Sequence, residues 1–184
     1  RKCLEERLQA ALGVEKVLWL PHGFTPPGQG NSHADMVAAF CGPGQVLLAS
    51  SPYDDYPEAL RLRANYEQLS GQTDARGRTL KVTAVPCAEI GWLERSAQRI
   101  NIGSGRWYAQ SLERTYTNAV FVRSAVLVPQ FGDSQRDEEA LKIFREACSK
   151  GGSEVQHLEV VPIPMRAISS LGGGLRCLSL PVPK

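Results

Sequence analysis

Hydrophobic and polar positions at the start of the chain predict a helix, a strand and a long loop, in that order. Leucines recur at helical spacing over residues 4–12, and Gly13 follows where a left-handed C-cap would lie. Residues 14–20 are β-branched or aromatic at alternate places and end at Pro21, which predicts a strand. The Gly-, Pro- and Asn-containing stretch up to Ser32 predicts a loop, and long loops often carry function.

The pattern then predicts a hairpin, a helix and a strand. Apolar runs at 36–41 and 45–50 flank residues 42–44, a Gly-Pro-Gly sequence typical of a tight turn. An amphipathic helix follows and ends at Gly71. A strand is predicted over 79–85.

The same order of elements is predicted again further along the chain. Residues 116–123 and 125–130 are predicted to form a second hairpin, a helix begins at Ser134, and a strand spans 155–163. The fold class is therefore α/β.

We interpret the two sets of elements as an internal ββαβ repeat, with units at roughly 33–85 and 113–163. The segment 86–112 between them has little periodicity and is predicted to be an inserted loop, with a helical turn near 92–99.

Composition limits the partners and the cellular compartment that we expect. The 184 residues carry 21 Lys and Arg against 19 Asp and Glu, without a basic block, so neither nucleic acid nor an anionic membrane surface is an expected partner. No apolar run approaches the roughly 18 residues that a spanning helix needs. Five scattered cysteines without a C-x-x-C pair favour a reducing compartment, and we expect a cytoplasmic protein. The chain begins with Arg1 rather than Met, as expected for part of a longer polypeptide.

Cys177 is the first candidate for chemistry. It follows three consecutive glycines, Gly172, Gly173 and Gly174, which are expected where the backbone approaches another group closely or takes a positive φ. The adjacent Arg176 supplies a positive charge, and a nearby cation is one of the features that turn a thiol into a nucleophile. The alternative is a structural cysteine, because free cysteine is among the most buried residue types.

His33 and Asp35 are a second candidate. On an extended chain both side chains would lie on the same side, where an imidazole and a carboxylate could act on one substrate. The alternative is a solvated loop histidine beside a turn aspartate. His22 and His157 have no partner pattern, and no metal-ligand spacing or phosphate-binding loop occurs, so we expect neither a metal nor a nucleotide.

Six short stretches occur in an order and spacing typical of one family. They are LGVEKVLWL at 12–20, SHAD at 32–35, PGQVLL at 43–48, YTN at 116–118, VPQFGD at 128–133 and GGGLRCLS at 172–179. On these stretches the sequence resembles the guanidine-modifying deiminases, and most closely the agmatine deiminases and bacterial-type peptidylarginine deiminases.

The resemblance implies a five-fold α/β propeller of ββαβ units, the pentein fold, of which residues 1–184 would be an incomplete, C-terminal part. It implies a cysteine nucleophile at Cys177, in the segment 171–181, with His33 and Asp35 as its catalytic partners. No cofactor is implied. The further residues expected to contact a small guanidino substrate are Asp35 itself, Gly173, Gly174, Arg176 and Asn118.

Two departures from the family pattern leave the substrate open between agmatine, free arginine and a peptide-terminal arginine. Ser32 stands where glycine is usual, and Arg176 stands where histidine is usual, as in the related arginine deiminases. A five-unit propeller needs about twice this length, so an upstream half of the same protein or a second copy is the expected partner. The alternative functions are a non-catalytic propeller-fold binding protein, such as the ribosome anti-association factor, and a degenerate deiminase.

Overall fold

The computed structural model of the protein describes most of the predicted elements. The described residues are 1–23, 33–55, 58–89, 114–149, 158–169, 173–180 and 182. Four features of the sequence analysis lie outside them: the loop up to Ser32, the helical turn near 92–99, His157 and Gly172.

The first sheet has three strands in the order β1-β2-β3. Strands β1 (Ala38–Gly42) and β2 (Gln45–Ser50) form the predicted antiparallel hairpin, and Gly44 turns the chain at φ 68°. Helix α2 (Ala59–Leu69) then leads back to β3 (Lys81–Pro86), which pairs parallel to β2. The hairpin, the helix and the strand are those expected from the sequence.

The second sheet repeats this topology in the order β4-β5-β6. Strand β4 (Val120–Phe121) pairs antiparallel with β5 (Ala125–Gln130), and helix α3 (Ser134–Ser149) precedes β6 (Glu159–Pro164), which is parallel to β5. The architecture is mixed α/β, and the strand order and strand directions are the same in both sheets.

The prediction of a strand over 116–123 is wrong for its first half, because β4 covers only two residues. Residues 114–118 read Arg-Thr-Tyr-Thr-Asn and are fully buried, so their polar groups need partners. Thr115 and Thr117 bond to each other, and the other side-chain partners lie in other segments of the chain rather than on an adjacent strand. The segment therefore forms a buried turn.

The segment after the first helix is also not the predicted strand. Helix α1 (Lys2–Leu12) ends at Gly13 in the left-handed conformation, as predicted. Among the described residues, 14–20 beyond it pair with no strand. Just after this segment, the buried side chain of Asn65 on α2 holds both backbone polar groups of His22, donating to its carbonyl at 2.9 Å and accepting from its N–H at 3.1 Å. These two hydrogen bonds tie the chain after residue 20 to α2.

Strand β2 is buried on both faces, and one of these faces packs against the second unit. Leu47 belongs to a cluster with Val85 and with residues of the second sheet and α3, whereas Val46 and Leu48 belong to a cluster with Leu62 of α2. Each fully buried aliphatic side chain of this kind contributes roughly 1.5–3 kcal/mol to folding. Helix α3 packs against β1 and β3 as well as β6, so the two sheets share one core. None of the helices described is long and apolar enough to cross a bilayer.

Candidate active site

Cys177 lies in a turn beyond β6 and the short helix α4 (Arg166–Ser169). The Leu178 N–H donates to the Gly174 carbonyl at 3.3 Å, and the N–H and hydroxyl of Ser179 both donate to the Arg176 carbonyl. The Cys177 side chain is exposed, so the alternative of a buried structural cysteine is wrong.

The glycines before Cys177 are less constrained than expected. Gly173 does not adopt a positive φ, and a Cβ atom there would lie 3.8 Å from Ile168 Cγ2 and 3.9 Å from Leu178 Cδ2, which is ordinary contact. Neither a positive φ nor a close approach by a described protein group therefore requires glycine at position 173. Gly174 is buried and its carbonyl anchors the turn. Contact of either glycine with a substrate stays a prediction.

His33 and Asp35 lie together, although not on extended chain. Asp35 belongs to a single 3-10 turn, Ala34–Met36, and His33 is the extended residue that precedes it. The Nδ1 atom of His33 lies 3.9 Å from Oδ1 of Asp35. The His33 side chain is 57% exposed and the Asp35 side chain 28%, so both can meet a ligand from solvent.

The Cys177 turn brings its thiol to this pair. The thiol donates to Oδ2 of Asp35 across 3.6 Å, and suitable donor atoms of His33, Asp35 and Cys177 all lie within 4.8 Å of one another. A thiol, an imidazole and a carboxylate at this spacing can address one cation. The same three groups could also ligate a metal ion, so the expectation of a metal-free site stays a prediction.

Asn118 contacts both Asp35 and the turn that carries Cys177. Its Nδ2 donates to Asp35 Oδ2 at 3.0 Å and lies 3.7 Å from Cys177 Sγ, while its Oδ1 accepts from the Arg176 N–H at 2.8 Å. Its side chain is buried, and its polar atoms contact protein groups. The predicted contact of Asn118 with substrate stays a prediction.

The rest of the buried turn at 114–118 is anchored on several sides. Thr117 Oγ1 donates to the Met36 carbonyl at 3.0 Å, next to Asp35 in sequence. The Tyr116 hydroxyl donates to Asp137 of α3 at 2.8 Å, and Arg114 forms a buried ion pair with Glu58. Sequence reasoning assigned this turn to a strand and missed its anchoring role. The signal was there, since a run of five polar residues does not suit a core strand.

The other cysteines differ from Cys177 in accessibility. Burial raises the pKa of the Cys41 thiol from its ordinary value of 9.0 to about 12 and that of Cys87 to about 11, and it also raises the pKa of Cys148. These three thiols stay protonated at neutral pH and lie out of reach of solutes. Among the other four cysteines only Cys3, on α1, is exposed like Cys177. The reactivity of Cys177 can therefore be compared with that of Cys3 in the same molecule.

Arg176 is the charged residue closest to Cys177 in sequence. Its backbone is held by Asn118 and Ser179, while its side chain is exposed. His22 belongs to the segment held by Asn65 and is not part of the His33, Asp35 and Cys177 cluster.

Comparison with known proteins gives consistent matches over nearly the whole chain. The sequence profile of the Porphyromonas-type peptidyl-arginine deiminases matches residues 1–183. A Selenomonas ruminantium protein with the provisional name agmatine deiminase is 34% identical over 98% of this chain and 47% of its own length. A Medicago truncatula agmatine deiminase is 32% identical over 98% of this chain and 48% of its own length.

Solved structures agree with these matches. A Porphyromonas gingivalis protein provisionally named arginine deiminase is similar with a TM-score of 0.74 and 25% identity, over 96% of this chain and 46% of the solved one. The agmatine deiminase of Enterococcus faecalis has a TM-score of 0.71 at 24% identity, over 97% of this chain and 47% of that protein, and supports the fold alone. The chain thus spans about half the length of the relatives that it matches.

Proposed function

The chain belongs to the Porphyromonas-type peptidyl-arginine deiminase family, and we propose that it carries the nucleophile of a guanidine deiminase. The observation that supports this most strongly is the convergence of an exposed thiol, a carboxylate and an imidazole at Cys177, Asp35 and His33. The similarity to a Medicago truncatula agmatine deiminase supports a hydrolase that acts on guanidinium C–N bonds.

Substrate binding is assigned to Asp35. A guanidinium is a planar cation whose N–H groups pair with a carboxylate by charge-assisted hydrogen bonds. Because Asp35 Oδ2 lies 3.6 Å from the thiol, a guanidinium bound there has its central carbon next to the Cys177 sulfur. The carboxylate therefore selects the cation and orients it for attack.

Cys177 then acts as nucleophile. The thiolate sulfur forms a bond to the guanidinium carbon, the resulting tetrahedral adduct breaks one C–N bond, and ammonia leaves with a proton supplied by His33. A water molecule, deprotonated by the same imidazole, attacks the thiouronium carbon. The C–S bond breaks, giving a ureido product and the free thiol, so the net reaction consumes one water and releases one ammonia.

The substrate class is a small guanidino compound, and agmatine, free arginine and peptide-terminal arginine remain the candidates. Arg176 distinguishes them by charge. Agmatine carries an ammonium at its far end, which the exposed guanidinium of Arg176 would repel, whereas free arginine and a C-terminal arginine carry a carboxylate that it would attract. We therefore place arginine-type substrates ahead of agmatine.

We further propose that the two ββαβ units belong to a five-fold propeller that another segment completes. The chain matches about half the length of its relatives, and Asp35 is the carboxylate that the described residues bring to the thiol. The upstream part of the same protein, or a second copy, would supply the remaining units and a further carboxylate for the cation.

The test measures turnover by Cys177→Ser in the protein that also contains the segment proposed to complete the site. The hydroxyl is close to the thiol in size but far less nucleophilic, so release of ureido product should stop while the thermal unfolding midpoint stays near that of the wild type. Cys3→Ser, at the other exposed cysteine, should turn over normally. Wild-type turnover by Cys177→Ser would refute the proposal.

A further inference from the structure

The contacts of Asn118 assign it a function that the proposed chemistry does not include. We propose that Asn118 is a positioning residue: its carbonyl fixes the Cys177 turn, and its amide N–H groups hold the Asp35 carboxylate and stabilise the negatively charged form of the Cys177 sulfur. The inference rests on the proposed function only in treating that sulfur as a nucleophile.

Burial separates this function from substrate contact. Asn118 is 1% exposed, and a buried amide must find hydrogen-bond partners inside the protein or lose the free energy of its hydration. Its carbonyl is occupied by the Arg176 N–H at 2.8 Å, the backbone donor directly before Cys177. The carbonyl therefore determines where the cysteine turn lies.

The Nδ2 amide faces both groups that meet in the site. It donates to Asp35 Oδ2 at 3.0 Å, and it lies 3.5 Å from the Asp35 main-chain carbonyl oxygen and 3.7 Å from Cys177 Sγ. An N–H donor favours the charged form of the group that accepts it. Removing this donor should make the sulfur harder to deprotonate and leave the carboxylate free to turn away.

Asn118 is itself held in place independently of the cysteine turn. The neighbouring Thr117 donates to the Met36 carbonyl at 3.0 Å, which ties the buried turn to the 3-10 turn that carries Asp35. The residue before Asn118 is therefore tied to the Asp35 turn by a hydrogen bond that does not involve the cysteine turn.

The experiment measures alkylation of Cys177 by iodoacetamide, a neutral reagent, relative to the exposed Cys3 in the same molecule, as a function of pH. In Asn118→Ala, the rate ratio of Cys177 to Cys3 at neutral pH should fall roughly tenfold, and the pH of half-maximal alkylation of Cys177 should rise. Asn118→Asp retains the acceptor for the Arg176 N–H, loses the donor and adds a negative charge beside Asp35 and Cys177, so it should shift the profile in the same direction and at least as far as Asn118→Ala.

Asn65→Ala is the matched control, because Asn65 is also a buried asparagine with two hydrogen bonds to backbone, those of His22. It should lower stability and leave the Cys177 profile unchanged. A wild-type profile in Asn118→Asp, or an equal shift in Asn65→Ala, would overturn the inference. Alkylation needs no turnover, so a shifted profile in Asn118→Ala, together with no ammonia release by the wild-type protein that includes the completing segment, would refute the proposed function alone.

Discussion

The sulfur of Cys177 lies 3.6 Å from Oδ2 of Asp35, although 142 residues separate them in the sequence. Asp35 precedes the first strand of the first sheet, and Cys177 follows the last element of the second unit. The buried turn at 114–118, at the start of the second unit, contacts the segments that carry both residues. The site is thus a product of how the two units pack, and it places a nucleophile beside a group that attracts cations.

His33 and Asp35 should fail in different ways when substituted. His33→Ala removes the proposed proton donor and acceptor and should lower kcat on the order of 100-fold, with little change in KM. Asp35→Asn removes the charge that holds the cation and should raise KM by roughly tenfold or more. Steady-state kinetics with arginine measures both values.

His22→Ala is the control for these two variants, because its histidine lies in the segment held by Asn65 and not in the cluster. It should have wild-type kinetics. If His33→Ala and Asp35→Asn changed only the thermal unfolding midpoint, the pair would be structural.

Arg176 should set the preference between substrates. Replacing it by alanine removes the positive charge carried by the residue before Cys177, so kcat/KM for agmatine should rise relative to that for arginine by roughly threefold at low ionic strength. Arg176→Lys keeps the charge and should keep the preference. A preference that is identical in Arg176→Ala, Arg176→Lys and the wild type would show that this side chain does not face the substrate.

The buried cysteines should make the fold sensitive to alkaline pH. Cys41 has an ordinary pKa of 9.0 when unfolded and a pKa raised to about 12 by burial in the folded protein. Between these values the folded state holds a proton that the unfolded state has lost, so the free energy of unfolding falls as pH rises above 9.0.

Denaturant unfolding of the wild type and of Cys41→Ala over this pH range isolates the effect. Cys41→Ala should start less stable because it leaves a small cavity, and should lose less stability than the wild type as pH rises. Cys3→Ala, which changes an exposed thiol, should follow the wild type. Parallel curves for Cys41→Ala and the wild type would contradict the raised pKa.

The pattern of neighbouring residues predicted those elements whose hydrogen bonds join residues close together in the sequence. Helix α1 with its Gly13 cap and the hairpin around Gly44 follow from residue types a few positions apart. The strand predicted over 14–20 is not paired within the described residues, and the strand predicted over 116–123 begins late because Thr117 and Asn118 bond to Met36 and Asp35, far away in sequence. No window of neighbouring residues contains that information.

The candidate site was likewise predictable from the sequence only in part. Family resemblance indicated Cys177, His33 and Asp35, and the glycines before Cys177 marked an unusual loop. The sequence could not show that the His-Asp pair sits on a 3-10 turn rather than on extended chain, or that Asn118 is buried between carboxylate and thiol. Those facts depend on tertiary packing.

The 184-residue chain alone should be inactive, because the propeller and the cation site that we propose need a further segment. Strands β1 and β3 lie at the edges of their sheet and pair with no additional strand within the described residues, which leaves backbone groups for another segment to cover. Ammonia release from agmatine and arginine, with the solution mass of the chain, checks this. A monomer with a normal enzymatic rate would contradict it.

Alkylation by a cationic reagent tests the central claim most directly, because its rate depends both on the reactivity of the Cys177 thiol and on binding of the cation beside it. Chloroacetamidine resembles a guanidinium, and chloroacetamide is its neutral counterpart. We expect chloroacetamidine to label Cys177 much faster than Cys3, with the preference reduced for chloroacetamide and in Asp35→Asn. Peptide mass spectrometry measures both sites in one sample. Equal labelling of Cys177 and Cys3 by chloroacetamidine, unchanged in Asp35→Asn, would contradict a guanidinium site at the Cys177 thiol.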